Sequence, residues 1–242
     1  MGPVTTSTDQ ASKTTTSPDD RSRSTGWQRV LVLLGGALAL LLLGAAAGLL
    51  IGLPGSTPPR PAPGSVGVGF AQDMTAHHEQ AVQMAAWERD HTDDPVLRQL
   101  AYDIETVQIA QIGRMQGWLE LWGASGLPVG GQHMAWMSGD SGHSHSGMAT
   151  TDGGGVASMP GMASTEELRA LRAATGTELD VLFLQLMLRH HQGGVSMLEY
   201  GAQHAEQPAV RNLAAQMLSS QSSESTYLMQ LLTERGGQPL PL

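Results

Sequence analysis

Apolar residues recur at helical spacing along most of the chain beyond residue 66. This period predicts four long amphipathic helices, at about residues 68–89, 95–122, 178–204 and 208–235. Asp94 and Pro95 mark the start of the second, because aspartate caps a helix well and proline fits its first position. Pro208 marks the start of the fourth. A short additional helix is predicted to begin at the capping box Ser164-Thr-Glu-Glu167.

Two of the long helices carry copies of one motif. Residues 70–84 are repeated at residues 183–197, at a constant offset of 113 positions, and the register continues without a gap to residues 123 and 236. Such a repeat indicates two copies of one helical hairpin. Two hairpins joined by one long crossover predict an all-α fold, a ferritin-like antiparallel four-helix bundle over residues 67–236.

A run without charged residues precedes the predicted bundle. Residues 30–53 are almost all Leu, Ala, Gly, Val and Ile, and about 20 apolar residues suffice to span a bilayer. Arg21, Arg23 and Arg29 lie before the run, so the positive-inside rule predicts a single-pass anchor with a cytoplasmic N-terminus. A cleaved signal sequence is the alternative, because Ala45-Ala46-Ala47 has the form of a cleavage site. Both interpretations place the bundle outside the cytoplasm.

The remaining segments lack apolar periodicity. Residues 1–29 are polar and are predicted to be a disordered cytoplasmic tail. Residues 54–66 contain five prolines and are predicted to form an extended spacer. Residues 127–163 are rich in Gly, Ser, Met and His and form the predicted crossover between the hairpins.

Composition restricts the chemistry that the chain can perform. It has no cysteine, which excludes disulfides, thiolate metal sites and iron–sulfur clusters. The formal net charge is −9 and the basic residues are scattered, so nucleic acid is not an expected partner. The sequence shows no nucleophilic triad and no phosphate-binding loop. Methionine occurs 13 times, and most methionines in proteins simply fill cores.

Histidine and methionine nevertheless share one stripe of each motif-bearing helix. His77, Met84 and His91 are successive heptad positions, and the second copy repeats the series as His190, Met197 and His204. Imidazole and thioether without thiolate suit copper, particularly Cu(I), whereas zinc sites favour Cys, His and carboxylate. The pattern therefore indicates a soft-metal site, and the alternative is a helical core in which these side chains only pack.

Further candidate ligands and their neighbours follow from the same pattern. The hairpin register places Gln108 and Gln221 level with the histidine pairs, and Gln111 and Glu224 level with the preceding methionines. These four are predicted to be hydrogen-bond partners of the histidines or residues that orient metal ligands. Short His/Met-rich tracts also capture metal. The additional candidates are His91, His204, His133, Met134, Met137, His143, His145, Met148, Met159 and Met162.

Iron is the competing metal. Di-iron centres in ferritin-like bundles use a Glu-x-x-His motif on two helices. Only Glu88 and His91 have this spacing, and Gly201 stands where the second copy would need the glutamate. Copper is therefore favoured over iron. A ferritin-like redox enzyme with an iron centre and a structural bundle without metal remain the alternatives to a copper-binding protein that catalyses no reaction.

The two motif copies resemble the bacterial "domain of unknown function 305" proteins over about residues 65–236. The matching residues are Phe70, Asp73, Met74, His77, His78, Gln80, Ala81, Val82, Met84 and Ala85 in the first copy, and Phe183, Met187, His190, His191, Gln192, Gly193 and Met197 in the second. The chain departs from the repeat at Gly194 and Leu198, which stand where the first copy has Ala81 and Ala85.

The resemblance implies an exported or membrane-anchored ferritin-like bundle, in a family associated with copper binding and copper tolerance of the cell envelope. By that resemblance, copper ligands are expected at Met74, His77, His78, Met84, Met187, His190, His191 and Met197. The expected partners are the metal ion, the membrane through residues 30–53 and an envelope copper-handling protein. The expected role is sequestration or transfer of copper in its homeostasis.

Overall fold

The protein is described by a computed structural model for residues 21–52, 60–138 and 155–242, and within these ranges it is helical. Besides the helices it contains two single 3-10 turns and one isolated backbone bridge between His133 and Val156. The first helix belongs to one compact unit and the others to a second. The helices are α1 (Arg21–Gly52), α2 (Val66–His91), α3 (Pro95–Trp122), α4 (Thr165–Ala173), α5 (Thr177–His204) and α6 (Pro208–Glu234).

Helix α1 carries the apolar run. Its stretch Gly26–Leu49 has a mean hydropathy of 2.6 and is the one segment of the described chain that is long and apolar enough to cross a membrane. A signal sequence near the N-terminus meets the same criterion, so both interpretations of residues 30–53 stand. The helix begins at Arg21, so the prediction of a disordered tail is wrong for residues 21–29. Once the apolar run has formed a helix, adding upstream residues costs little. Residues 1–20 and 53–59 lie outside the described ranges.

Each hairpin of the second unit is closed by local signals that the sequence contains. Asp94 caps α3 by accepting hydrogen bonds from Val96 N at 2.8 Å and Leu97 N at 3.4 Å. Gly123 ends the same helix with a φ of +64°, a conformation that glycine adopts without strain. The long helices of the bundle begin and end within two residues of their predicted bounds. The all-α fold class is confirmed.

Helices α2 and α5 form the central contact between the two hairpins, and they run antiparallel. Phe70 of α2 lies against Gly201 of α5, where a Cβ atom would come within 2.6 Å of the ring. Two turns further along α2, His77 lies against Gly194, where a Cβ atom would come within 3.2 Å of the imidazole. Glycine at these positions lets the two helices approach closely. This explains why Gly194 departs from the Ala81 of the first copy.

The apolar core is divided into two clusters. The Phe70 cluster includes Val68, Met74, Met115, Met134, Met159, Met197, Val210 and Met217. The Phe183 cluster includes Met84, Leu97, Ile104, Leu179, Met187, Leu228 and Leu232. Each is named after the phenylalanine of one motif copy. The motif histidines follow Phe70 by two turns on α2 and Phe183 by two turns on α5, so they lie where the two clusters meet.

The described ends of the crossover segment are folded onto the bundle. The carboxylate of Asp73, fully buried on α2, accepts hydrogen bonds from His133 Nδ1, Met134 N and Trp136 Nε1 at 2.6–2.7 Å. On the other side of the segment, Gln80 holds Ala163 through two hydrogen bonds of 2.6 and 3.0 Å. The segment therefore contributes directly to the bundle surface near the motif histidines. Residues 139–154 lie outside the described ranges.

Met159-Pro160-Gly161-Met162 forms a lid, and its backbone lies directly on α5. A Cβ atom at Gly193 would come within 2.3 Å of the Pro160 carbonyl oxygen. At Gly161, whose φ is +78°, a Cβ atom would come within 2.5 Å of the Arg189 carbonyl. Arg189 in turn donates to both carboxylate oxygens of Glu167, at 2.8 Å each, which fixes the start of α4 beside the lid.

Replacing Gly193 with alanine is expected to lower the free energy of unfolding by about 1–3 kcal/mol, because the new methyl group overlaps backbone atoms that cannot rotate away. The matched control is Gly113→Ala on α3, where nothing lies within 4 Å of the added Cβ. That change should raise stability by about 0.5–1 kcal/mol, since alanine is the better helix residue. Urea unfolding of both variants measures the difference. Equal effects at the two positions would contradict the close contact of lid and helix.

Candidate metal centre

The four motif histidines are all completely buried in the middle of the bundle. His77 and His78 come from α2, and His190 and His191 come from α5. The rings of His77 and His190 lie face to face, with centroids 3.7 Å apart and planes inclined by 33°. The rings of His190 and His191 are 6.3 Å apart. The antiparallel packing of the two motif copies thus brings together residues that are 113 positions apart in sequence.

The central pair of histidines is held by backbone carbonyls. His77 Nε2 donates to the carbonyl oxygen of Pro160 in the lid at 3.2 Å. His190 Nε2 donates to the carbonyl oxygen of His77 at 2.9 Å. A carbonyl oxygen only accepts, so each Nε2 must carry the hydrogen. The Nδ1 atom of each neutral ring is then the one with a free lone pair.

The outer pair is held by side chains of the outer helices. His78 Nε2 lies 2.8 Å from Gln111 Oε1 on α3, and His191 Nε2 lies 2.7 Å from Glu224 Oε2 on α6. Gln111 and Glu224 occupy equivalent positions of the two copies. Oxygen acceptors at both places again leave the hydrogen on Nε2 of the neutral ring, and the lone pair on Nδ1.

These contacts correct the predicted register by about one helical turn. The sequence predicted Gln108 and Gln221 level with the histidines, but the contacts are made by Gln111 and Glu224. Side chains tilt toward the N-terminus of their own helix, so residues on antiparallel helices meet when their Cα atoms are about a turn apart. Gln108 is buried with neither amide atom hydrogen-bonded, and buried Gln221 has its Oε1 without a partner.

All four histidine Nδ1 atoms are buried without a hydrogen-bond partner. Most buried polar atoms in proteins are satisfied, and an unsatisfied acceptor costs about 1–3 kcal/mol. Four such atoms in two sequence-related pairs are a feature to be explained. Histidines that bind metals show the same division of roles, because one nitrogen donates to an acceptor that orients the ring while the other binds the metal.

Burial also favours the neutral form of three of the imidazoles. It lowers the pKa of His77 to about 4, because the charged ring would lose its hydration, and His191 adds to the effect. Burial likewise lowers the pKa of His78 to about 3, assisted by the nearby His77. The pKa of His190 is also well below its usual value, for the same reason and because the other three histidines surround it. Neutral imidazole is the form that binds metal.

The motif methionines lie on both sides of the histidines. Met74 and Met197 belong to the Phe70 cluster, while Met84 and Met187 belong to the Phe183 cluster. All four are at most 1% exposed. Thioether sulfur is therefore present above and below the imidazoles, in surroundings from which water is excluded.

The donor set fits a soft metal better than a hard one. The described residues include no group of three or more His, Asp or Glu side chains placed around a single ion. A site made of imidazoles alone, or of imidazoles and carboxylates, is therefore not preformed in this part of the chain. A site that combines histidine Nδ1 atoms with methionine sulfur does fit the donors, and copper is the metal that such ligands favour.

Two of the further candidates lie away from this centre. His91 and His204 are exposed at the C-terminal ends of α2 and α5. His91 stacks on Trp87 with 3.7 Å between centroids, and His204 lies against Tyr200 at 4.3 Å. Because the two helices are antiparallel, their ends point in opposite directions. The heptad stripe therefore leaves the buried centre at these two residues, and their role as additional metal ligands stays a prediction.

The crossover candidates have different surroundings. His133 is tied to Asp73, Met134 and Met159 are buried in the Phe70 cluster, and Met137 and Met162 are half-buried beside it. His143, His145 and Met148 lie outside the described residues. Asp73 and Pro160 were not predicted to contribute to the site. Asp73 immediately precedes Met74 within an apolar face, which was the available signal, whereas no sequence signal pointed to the Pro160 carbonyl.

A buried carboxyl group lies at the far end of the Phe183 cluster. Glu88 is completely buried, and neither of its oxygens has a hydrogen-bond partner. Burial raises its pKa to about 8, and the carboxyls of Asp180 and Asp94 add to the rise while Arg235 opposes it. Asp180 itself accepts a hydrogen bond of 2.7 Å from the Thr92 hydroxyl. Glu88 is buried and His91 is exposed, so the one Glu-x-x-His spacing in the chain does not form a common site.

Comparison with known proteins gives one family. The sequence profile of the domain of unknown function DUF305 matches residues 67–232. No protein with curated annotation matches the chain. Among solved structures, a DUF305 protein from Streptomyces coelicolor, described as a candidate secreted protein, is 38% identical with a TM-score of 0.65. It is matched over 75% of this chain and 100% of its own.

Two other structures are similar over nearly their whole length. A DUF305 fragment from Deinococcus radiodurans is 29% identical, with a TM-score of 0.55 and coverage of 73% of this chain and 99% of its own. The protein CopM, in its Cu(I)-bound form, is 24% identical, with a TM-score of 0.50 and coverage of 69% and 96%. At this identity the likeness to CopM shows a shared fold and nothing more.

Acid is expected to destabilise the metal-free protein as the pH falls below 6.5. The unfolded chain then takes up protons on His77, His78 and His190, whereas the native state, with lowered pKa values, does not. Each such histidine contributes up to about 1.4 kcal/mol per pH unit until its native pKa is reached. Urea unfolding between pH 7 and 5 should show a shallower slope for His78→Gln than for the parent protein. The exposed-site control His91→Gln should keep the parent slope, and an unchanged slope in both variants would contradict the prediction.

Glu88 should make the protein less stable as the pH rises, the opposite of the effect of the histidines. The unfolded glutamate ionises near pH 4.5, but the native one stays protonated up to a pKa of about 8, so its contribution to stability is lost as the pH rises between them. The stability of Glu88→Gln relative to the parent should therefore increase by about 1.4 kcal/mol per pH unit from pH 5 to 8. For Glu79→Gln, at an exposed position of the same helix, the difference should be constant with pH.

Proposed function

The chain belongs to the DUF305 family, and from this premise we propose that it is an extracytoplasmic copper-binding protein that sequesters Cu(I) or Cu(II) or passes it on. It catalyses no reaction of its own. Its role is to hold copper outside the cytoplasm, away from groups that the metal would damage or occupy, and so to support copper homeostasis.

The observation that carries the proposal is the division of roles within each buried histidine. Each Nε2 is anchored on an oxygen of the protein, and each Nδ1 is buried without a partner. A purely structural core gains nothing from four unsatisfied acceptors. A metal site gains pre-oriented ligands, because the ring positions are fixed before the ion arrives.

Ligand chemistry selects copper. The motif methionines place thioether sulfur on both sides of the imidazoles, and the chain has no cysteine. Imidazole with thioether favours copper, most of all Cu(I), over zinc and iron. Thioethers carry no proton and form no disulfides, so a site of this kind keeps its ligands in an oxidising compartment.

The protein's own residues would also control access to the ion. His77, His78, His190 and His191 bind through Nδ1 in this proposal, with Met74, Met84, Met187 and Met197 as the sulfur ligands on either side. The lid carbonyl of Pro160 orients His77 and excludes water from the central pair. Gln111 and Glu224 orient the outer pair from α3 and α6. Bound copper would supply the charge that this neutral set of ligands lacks.

CopM is consistent with this assignment as a protein of the same fold that has been solved in Cu(I)-bound and Cu(II)-bound forms. The copper assignment for this chain depends on its own histidines and methionines.

Helix α1 supports an extracytoplasmic setting. An apolar helix near the N-terminus either anchors the bundle or exports it as a signal, and both place the copper site outside the cytoplasm. In the anchored form, residues 30–53 cross the membrane. A copper-handling protein of the cell envelope would then receive the metal, and the crossover segment with His133 and Met137 lies on the surface from which transfer would start.

Replacing His77, His78, His190 and His191 with alanine should weaken Cu(I) binding by at least about 100-fold, because each imidazole removed takes away a pre-oriented ligand. Competition with a chelator of known affinity measures the change, on full-length protein purified without a histidine tag. Far-UV circular dichroism verifies that the helices persist.

The matched control is the double variant His91→Ala and His204→Ala, which also removes histidines from α2 and α5 but at exposed positions. It should bind copper like the parent protein. If the fourfold variant keeps the parent affinity, the imidazoles are structural and the proposal is wrong. Stoichiometric iron in the purified protein would also contradict the copper proposal and would favour the alternative, an iron-dependent redox enzyme.

A further inference from the structure

The methionines of the core are distributed unequally between its two halves. Each hairpin places one residue of its outer helix opposite each motif methionine. On the side of the Phe70 cluster, the two motif methionines are opposite two further methionines. The four residues are Met74, Met115, Met197 and Met217. On the side of the Phe183 cluster they are Met84, Ile104, Met187 and Leu228. All eight side chains are at most 1% exposed.

The register of the helices places the four methionines at one level. His78 contacts Gln111 at 2.8 Å, and Met74 and Met115 are each one turn away from this pair in the same direction. His191 contacts Glu224 at 2.7 Å, and Met197 and Met217 are each about two turns away from that pair. Met74 and Met197 are level across α2 and α5, because Phe70 lies against Gly201 and His77 against Gly194. The bundle therefore has a layer of four thioethers, one from each long helix.

The internal repeat provides the comparison that makes this layer informative. The offset of 113 relates Met115 to Leu228 and Ile104 to Met217. The outer helices thus contribute isoleucine and leucine to the Phe183 cluster and methionine to the equivalent positions of the Phe70 cluster. Packing alone is satisfied by either residue, since Leu and Met have similar volumes. The outer-helix methionines are therefore not required by the fold.

A charged group accompanies this layer. Thioether sulfur is neutral, so a cation held only by methionines would lack a compensating charge in an apolar core. Asp73 directly precedes Met74 and is completely buried, with its carboxylate fixed by three hydrogen bonds from the crossover segment. Its counterpart in the second copy is Leu186. The negative charge and the two additional thioethers occur on the same side of the histidines.

From this arrangement we infer a second metal site, formed by the sulfur atoms of Met74, Met115, Met197 and Met217 and selective for a soft monovalent cation such as Cu(I) or Ag(I). It rests on the proposed function in that it shares Met74 and Met197 with the histidine centre, and it adds ligands from α3 and α6. The bundle then contains an imidazole level and a thioether level side by side. The methionine side chain is flexible, so the four side chains can rearrange from packing against one another to surrounding an ion.

The test uses silver(I), which is soft, monovalent and redox-inert, on the full-length protein in detergent. The double variant Met115→Leu and Met217→Ile gives the Phe70 side the composition of the Phe183 side, with nearly unchanged volume. The reciprocal variant Ile104→Met and Leu228→Met gives the Phe183 side the four methionines. Metal analysis after dialysis counts bound silver, and X-ray absorption counts its sulfur neighbours.

We expect Met115→Leu with Met217→Ile to lose one equivalent of silver and its sulfur-only coordination. The reciprocal variant should gain one equivalent. Unchanged silver content and sulfur coordination in the first variant would overturn the inference, as would a parent protein that binds no silver. Copper bound through nitrogen, measured on the same samples, reports on the histidine centre separately. A first variant that keeps nitrogen-bound copper and the parent silver content would therefore contradict the thioether site alone and leave the proposed function intact.

Discussion

The fold depends on burying four imidazoles between two antiparallel helices. A buried imidazolium would be costly, so burial lowers the pKa of His77 to about 4 and the pKa of His78 to about 3, which favours the neutral rings. A neutral ring still has one N–H that must find an acceptor. The surrounding elements supply these acceptors: a carbonyl from the lid, a carbonyl from α2, an amide from α3 and a carboxylate from α6. The glycines of α5 then allow the close approach that stacks His77 on His190.

This requirement links the hairpins and the crossover into one functional unit. The lid orients His77, Gln80 of α2 holds Ala163 directly after the lid, and Glu167 of α4 pairs with Arg189 of α5. Asp73 holds the other end of the crossover beside Met74. The four unsatisfied Nδ1 atoms are costly for the metal-free protein at about 1–3 kcal/mol each. A ligand that satisfied them would return that energy as binding affinity, so the proposed metal ion is expected to stabilise the folded protein.

The helices were predictable from the sequence because their signals are local. Asp94, Pro95, Pro208 and the capping box at Ser164 fix boundaries through nearest neighbours, and the repeat fixes the pairing of the hairpins. The contacts of the histidines were harder to predict, because Gln111 rather than Gln108 meets His78 through the tilt of side chains along each helix. The hydrogen bond from His77 to Pro160 joins residues 83 positions apart through a backbone oxygen, which any residue could provide. Residues 21–29 were misassigned because a polar sequence continues a helix that an apolar neighbour has started.

The backbone pair between His133 and Val156 has a consequence for how this protein can change in length. Its two hydrogen bonds, of 2.8 and 3.0 Å, close the crossover at its base, so the residues between them join two points that already touch. The bundle contacts on either side of this base do not depend on how many residues lie beyond it. Closing a longer loop adds only about 0.6 kcal/mol for each doubling of its length. The position is therefore suited to the insertion of a whole reporter domain, which would make the bundle a sensor of the metal proposed for it while its helices stay unaltered.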